Sequence, residues 1–337
     1  MSSTTEKPLP VRSVPAQTRT RRFTLTPTVI VYVALVALLV VGSVLVGLQG
    51  GVLLDQAGLL NIFTRATALG LVAIGQTIVI LTGSLDLSVA YLVGLTSLVA
   101  AETMAGQSGM IVPGVLLALA VAAVVGLVNG LVITVLKANA FIATLGVALI
   151  LRGYLEQNYT GPAGDVPRTF QHLGYDRVGP VPVAALLMLG VAGACWWLLS
   201  RSRPGYHIYA VGGDVEVARL SGVHTRRTIV TAHVLCSVAA GMAGIYLASR
   251  LGSGAPYVGT DAGFDLESIA AVVLGGTLLA GGRGGIVGTI GGVFILATLD
   301  TVFDDLAVDP FFKDVVRGVV LITAVALYAR GMVRRPR

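Results

Sequence analysis

The sequence predicts an all-α fold, a polytopic membrane bundle of about ten transmembrane helices with both termini cytoplasmic. Three observations predict it. Hydrophobic residues make up 55% of the 337, charged residues only 12%, and mean hydropathy is +0.86, whereas a soluble chain carries about 25% charged residues. Ten apolar stretches, each near the roughly 17–25 residues that a helix needs to cross a hydrocarbon core, fill the chain between short polar breaks. Gly accounts for 43 residues, about 13% against an average of ~7%, and Gly lets membrane helices approach backbone to backbone. Lipid offers backbone polar groups no partner, so each stretch must satisfy its own as a helix.

Residues 1–26, rich in Ser, Thr, Pro and Arg, form a polar cytoplasmic tail. Pro27–Gly47 is longer than the 7–15 residues of a signal-peptide core and no small-residue cleavage site follows it, so it is an uncleaved first span. Ala66–Thr82 and Leu87–Glu102 are short spans separated only by Gly83-Ser84-Leu85-Asp86. Met110–Lys137 and Phe141–Glu156 follow, and then an outer loop, 157–180, with Gly161-Pro162 and Gly179-Pro180 near its ends. Asn158-Tyr159-Thr160 fits a glycosylation acceptor, but a triplet is weak grounds. Val181–Ser200 leads into the longest inner loop, 201–227. There Asp214 is a good N-cap for Val215–Ser221, Glu216 suits the positive helix start, and Gly222 suits the end, so one two-turn helix is expected under the membrane.

Thr228–Arg250 is the next span. Leu266–Gly281 and Ile286–Val302 make a second short pair, parted by Gly282-Arg283-Gly284-Gly285. Gly275-Gly276-Thr277 resembles Gly75-Gln76-Thr77 of the first pair, and matching interrupted segments in two halves point to a transport pathway. Phe312–Arg330 is the tenth span and 331–337 a basic cytoplasmic tail. Gly126/Gly130 and Gly288/Gly292 carry the small-xxx-small spacing of close helix crossings.

The net charge is +6. On this topology the inward segments hold 16 of the 23 basic residues but only Glu6, Asp86, Asp214 and Glu216 of the 17 acids. Cytoplasmic loops carry the Lys/Arg excess of membrane proteins, so the charge reports topology and no nucleic-acid partner is expected.

Catalytic signatures are missing. No G-x-x-x-x-G-K-[ST], H-E-x-x-H or G-x-S-x-G occurs, so Gly281–Gly285 is a tight turn with Arg283 at the headgroups, and no ATP hydrolysis is expected. Cys195 and Cys236 both fall within spans as small apolar packers, neither disulfide nor metal pair. Of the four His, only His233 lies in a span, with no carboxylate within a turn or two along the chain, so it reads as a packing residue rather than a proton relay. Asp86 stands apart: it either caps the helix that follows or is a polar element of a pathway. Gln76, Thr77, Asn129 and Thr144 either bond a hydroxylated solute or tie helices together.

Four blocks resemble one family. Gly75–Val89, reading GQTIVILTGSLDLSV, resembles the GQT…TGGIDLSVG segment of ABC-transporter permeases that import ribose, xylose, galactose and related sugars. Phe141–Gly146 is similar to that family's FIATLG, and Ile208–Asp214 followed by Ala218–Val223 resembles the loop that engages the ATPase. Ile269–Thr289 resembles its IAAVVLGGTSLAGGRGGVLGT block. Ser84, Ala90, Ala138-Asn139-Ala140 and Asp265-Leu266-Glu267 depart from the pattern. The resemblance implies an importer built from two permeases and two ATPases, fed by an extracytoplasmic sugar-binding protein, with the second permease a copy or a paralogue. It implies no cofactor on this chain, with ATP and Mg on the partner. The ATPase-coupling candidates are then Gly212, Gly213, Asp214, Ala218, Leu220, Ser221 and Gly222. Gln76, Thr77, Asp86, Ser88, Asn129, Thr144, Glu267 and Thr277 are candidates for pathway or gate. Branched-chain amino acid and nucleoside permeases are the related alternatives, and a self-sufficient secondary transporter is the alternative of a different class.

Overall fold

A computed structural model describes residues 26–309 and, in part, 311–319. The expected tenth span Phe312–Arg330 and the two tails lie wholly or largely outside the described residues. Helix α1 (Pro27–Leu48) is followed by α2 (Gln56–Leu81), whose first turn is capped by Asp55 accepting from Gly58 N–H. After the turn at residues 82–88 come α3 (Val89–Met104), a 3-10 turn at Ser108–Met110, α4 (Ile111–Val135) and α5 (Ala140–Asn158). The segment after α5 folds into α6 (Arg168–Tyr175) and a hairpin of β1 (Arg177–Val178) and β2 (Val181–Pro182), with Val178 opposite Val181. The rest is α7 (Val183–Arg201), α8 (Arg203–Gly213), α9 (Val215–Leu220), α10 (Thr225–Leu251), α11 (Val258–Asp261), α12 (Phe264–Leu274) and α13 (Ile286–Asp305).

Seven helices among the described residues are long and apolar enough to cross a bilayer: α1, α2, α4 with its preceding turn, α5, α7, α10 and α13. The protein is a helical, multi-pass membrane protein. Helices α2, α3, α10 and α13 form its centre, and α2 is buried without a break from Ala66 to Leu81. The outer faces of α1, α4 and α5 keep large apolar side chains such as Val33, Leu116 and Ile150 exposed, as lipid allows.

Both small-xxx-small pairs are crossings. A Cβ on Gly126 would lie 2.6 Å from His233 O and one on Gly130 would lie 2.7 Å from Val230 Cα, so α4 and α10 meet backbone to backbone. On α13, a Cβ at Gly288 or Gly292 would lie 1.9 Å from Gly275 O or 2.1 Å from Ala271 O. Cys236 is buried on α10, and both cysteines are free thiols.

Three expectations need correction. Leu266–Gly281 is not a continuous span: α12 stops at Leu274, and residues 275–285 form a turn in which Gly276, Gly281, Gly282 and Gly284 take positive φ. The 201–227 segment holds two helices rather than one, because Ser202 caps α8 by accepting from Gly205 N–H and Pro204 sits in its first turn. The two Gly-x-Thr triplets, alike in sequence, differ in structure, since Gly75 lies inside α2 whereas Gly275 ends α12.

One helix at each turn is short, although α2, which leads into the first turn, runs for 26 residues. At 1.5 Å per residue, the 16 residues of α3 rise about 24 Å and the 11 of α12 about 16 Å, against a core of about 30 Å. Irregular backbone within a membrane is tolerated only inside protein, and in the first turn Thr82, Ser84, Asp86, Leu87 and Ser88 are all buried, whereas Leu279 in the second is exposed. The far end of the bundle is sealed separately: Ala163 and Gly254 exchange backbone hydrogen bonds, and Gly106 N–H donates to Asp165 O at 2.8 Å.

Candidate functional site

The segment between α7 and α10 is capped where the sequence calls for a cap and exposed where it calls for a contact. Asp214 accepts from the N–H groups of Glu216 and Val217, both at 2.9 Å, which fixes the start of α9. Arg219 pairs with Glu216 at 2.6 Å along the same helix. Gly222, with φ +83°, ends it, and Ser221 Oγ donates back to Val217 O. Ala218 is buried against its own chain, so it offers no surface to a partner. The outward apolar side chains of α9 are Val215, Val217 and above all Leu220, which is 83% exposed.

The start of this helix stands on a junction of three backbones. Gly282 N–H donates to Leu81 O at 3.0 Å, which joins the turn after α12 to the end of α2. Gly212, at the end of α8, fills the corner: a Cβ there would lie 1.8 Å from Leu81 O and 2.6 Å from Gly282 N. A Cβ on Gly281 would lie 2.7 Å from Gly83 N and 3.0 Å from Gly212 O, and one on Gly282 would lie 2.9 Å from Gly213 Cα. Only Gly permits such an approach, since any side chain would have to displace backbone. Tyr209 adds a strut by donating its hydroxyl to Gly284 O at 2.9 Å, and burial pushes its phenol pKa above the usual range. The segment carrying α9 thus touches both interrupted helix pairs at their turns. Gly213 differs from its neighbour, for a Cβ there meets nothing within 4 Å.

Behind the first turn lies a buried polar cluster. Asp86 Oδ1 accepts from Ser88 N–H at 3.0 Å and from Ser88 Oγ at 2.6 Å. Asn129 Nδ2 of α4 donates to Asp86 Oδ2 at 3.2 Å and to Ser88 Oγ at 2.9 Å. His233 Nδ1 of α10 faces Asp86 Oδ2 at 3.5 Å, both side chains fully enclosed. His233 sits about 12 Å along α10 from Thr225, at 1.5 Å per residue. A buried carboxylate is tolerable only with such donors around it. Asp86 therefore both holds the turn and pins it to α4 and α10, while the N-cap of α3 is Ser88. Thr144 of α5 clasps the same turn, accepting from Leu87 N–H at 3.2 Å while its hydroxyl faces Leu85 O at 3.3 Å.

The other candidates fall in two places. Gln76 and Thr77 are buried on α2, where Thr77 Oγ1 pairs with Thr289 Oγ1 of α13 at 2.8 Å and Gln76 Oε1 faces the Cys236 thiol at 3.5 Å. Thr277 closes the second turn by accepting from Gly285 N–H at 3.2 Å. Glu267 lies in the first turn of α12, at the opposite end of that helix from the turn. Apart from Glu267, every pathway candidate is enclosed by its own chain in this conformation. Sequence reading missed the Asp86–His233 pair because 147 residues separate the two. Gln76 Nε2, Asn129 Oδ1, His233 Nε2 and Ser237 Oγ have no hydrogen-bond partner among the described residues.

Residues 58–325 match the family described as "Branched-chain amino acid transport system / permease component". The chain belongs to this permease family. Its relatives include the ribose import permease protein of Escherichia coli (strain K12), 39% identical over 272 residues, covering 79% of this chain and 84% of the relative. The ribose import permease protein of Bacillus subtilis (strain 168) is 38% identical over 286 residues, 81% of this chain and 85% of the relative. The galactose/methyl galactoside import permease protein of Haemophilus influenzae is 30% identical over 298 residues, 83% of this chain and 88% of the relative. No solved structure matches. The match to the permease family spans both interrupted helix pairs, the segment bearing α9 and the Asp86 cluster.

Proposed function

We propose that this permease is the transmembrane subunit of an ATP-driven ABC importer for a monosaccharide or polyol of the ribose, xylose or galactose type. The observation that carries the coupling half of this reading is the glycine junction, which sets the segment bearing α9 against both interrupted helix pairs. The ribose and galactose relatives support the substrate class. On this reading the chain sits in the plasma membrane with ten spans and both termini cytoplasmic. Residues 1–26 and 331–337 are cytoplasmic tails around a permease domain, 27–330. The 201–227 segment is the coupling loop, with Leu220 and Val217 of α9 seated on an ABC ATPase. The 157–180 segment faces an extracytoplasmic sugar-binding protein.

A second permease, a copy or a paralogue, completes the pore, and lipid surrounds it. ATP and Mg belong to the ATPase, and this chain binds neither and catalyses nothing. Nucleotide-driven movement of α9 would shift Gly212 and, through it, both turns at once. The polar residues act by holding the gates: Asp86, Ser88, Asn129 and Thr144 fasten the first turn, Gln76 and Thr77 bind α2 to α10 and α13, and Thr277 closes the second. Glu267, at the outer end of α12 beside Asp265, is a pathway or gate candidate.

Reconstitution tests the reading. The chain with its ATPase and binding protein should concentrate a pentose or hexose in vesicles and stop when ATP is withheld, whereas the chain alone should concentrate none. Concentrative uptake by the chain alone would refute it and favour a self-sufficient transporter. A branched-chain amino acid is the second reading, favoured by the family's description; competition by leucine but not by ribose or galactose would select it.

A further inference from the structure

A cavity of about 240 Å³ opens at the inner surface between α8 and α10, lined by Pro204, His207, Ile208, His224, Arg227, Thr228 and Thr231. Its chemistry is one-sided. Its lining residues include one arginine, two histidines and two threonines beside Ile208 and Pro204; much of the lining is apolar, the Thr228 hydroxyl is already bonded to His224 O, and none of the lining residues is acidic. Arg227 makes no ion pair among the described residues.

The start of α10 adds to the imbalance. A helix N-terminus carries a partial positive charge and favours acids in its first turn. The first turn of α10 holds Arg226 and Arg227 and no acid, and its N-cap residue, His224, makes no side-chain bond to it. Two like charges are thus adjacent at the helix start, and neither Arg226 nor Arg227 makes an ion pair among the described residues. An anion from outside would satisfy them together.

The level of the cavity in the membrane indicates which anion. Trp196 and Trp197, near the end of α7, are 47% and 61% exposed, and Tyr206 on α8 is 61% exposed. Exposed Trp and Tyr of this kind sit at headgroup depth, and Pro204 and His207 flank Tyr206 on the same short helix. Basic pockets between helices on the cytoplasmic side suit phosphate headgroups.

We propose that the α8–α10 cavity is a phosphate-binding site, filled by the headgroup of an acidic phospholipid or by a soluble phosphate. Arg227 supplies the fork, His207 and His224 the flanking donors, and Thr231 a hydroxyl. Its occupant bridges the two helices on either side of α9, so it steadies the segment that Gly212 anchors. The inference needs only the inner placement of α10's start and is independent of the transported substrate.

The test uses the full chain in nanodiscs of phosphatidylcholine, with or without phosphatidylglycerol, read by native mass spectrometry for retained lipid and by melting temperature. Wild type should retain phosphatidylglycerol in preference to phosphatidylcholine. Arg227→Gln should retain about fivefold less, the equivalent of ~1 kcal/mol for one basic residue at an anionic surface. The double variant Arg227→Gln/His224→Gln should retain less still, whereas Lys137→Gln, a basic residue elsewhere on the inner side, should match wild type. Monodisperse elution of each variant separates lost binding from lost fold. A melting temperature raised by inorganic phosphate in phosphatidylcholine discs, for wild type but not for Arg227→Gln, would assign the site to a soluble phosphate. Equal retention by all variants without a phosphate effect, or an equal loss in Lys137→Gln, would overturn the proposal.

Discussion

Gly212→Ala is the sharpest probe of how the segment bearing α9 meets the helix turns. The added methyl would lie 1.8 Å from Leu81 O and 2.6 Å from Gly282 N, whereas carbon and carbonyl oxygen ordinarily rest at about 3.3–3.6 Å. Something must therefore move by about 1.5 Å. The three nearest atoms, Leu81 O, Gly282 N and Leu81 C, are all main chain, so the clash cannot be relieved by swinging a side chain away. Overpacking of this kind costs typically 1–3 kcal/mol, and separating Gly282 N–H from Leu81 O adds about 0.5–1.5 kcal/mol. A strain of roughly 1.5–4.5 kcal/mol at the junction corresponds to about tenfold or more in any equilibrium that keeps it closed, at about 1.4 kcal/mol per decade. Uptake in vesicles holding the ATPase and binding protein should then fall at least tenfold, while ATP hydrolysis by the assembled complex continues. Gly213→Ala, one residue on with nothing within 4 Å of its Cβ, should leave uptake unchanged and serves as the control. Wild-type uptake by Gly212→Ala would refute the junction. An equal loss in Gly213→Ala would show that the segment rejects any side chain for another reason.

Four further outcomes follow from the same geometry. Asp86→Leu should leave Ser88 N–H and Oγ, Asn129 Nδ2 and His233 Nδ1 without their acceptor; at about 1–3 kcal/mol per orphaned buried group, the purified chain should melt many degrees lower or fail to accumulate, as fluorescence-detected gel filtration would record. Gly126→Val should force α4 off α10, where a Cβ already meets His233 O at 2.6 Å, and lower thermal stability by about 1–3 kcal/mol, whereas Gly193→Ala, with open space around it, should not. Leu220→Glu, on an 83% exposed side chain, should abolish co-purification of the ATPase without changing the yield of the chain, and retained co-purification would exclude α9 as its seat. Single cysteines at Phe170 and Val215 should be labelled by an impermeant maleimide from the outside and from the inside respectively; labelling of both from one side would overturn the orientation.

The class of this molecule is written in its hydropathy. Apolar stretches of bilayer length admit only helices, because lipid leaves no other way to satisfy the backbone, so the spans of α1, α4, α5, α7, α10 and α13 are legible without coordinates. Asp214 and Gly222 likewise mark α9, because capping is a local bargain between one side chain and the next few N–H groups. Residues that act across the chain are another matter. His233 has no acid near it in sequence and becomes the neighbour of Asp86 only when α10 crosses the turn after α2. Ala218 and Leu220 are two residues apart, yet one faces its own chain and the other faces outward. Gly212 and Gly213 are identical in sequence terms, and only the fold of Leu81 and Gly282 around the first makes it irreplaceable. Hydrogen bonding and hydrophobicity fix what a segment becomes by itself. Which side chain meets which depends on how helices stack, and close packing sets that over distances of the chain that no local pattern spans.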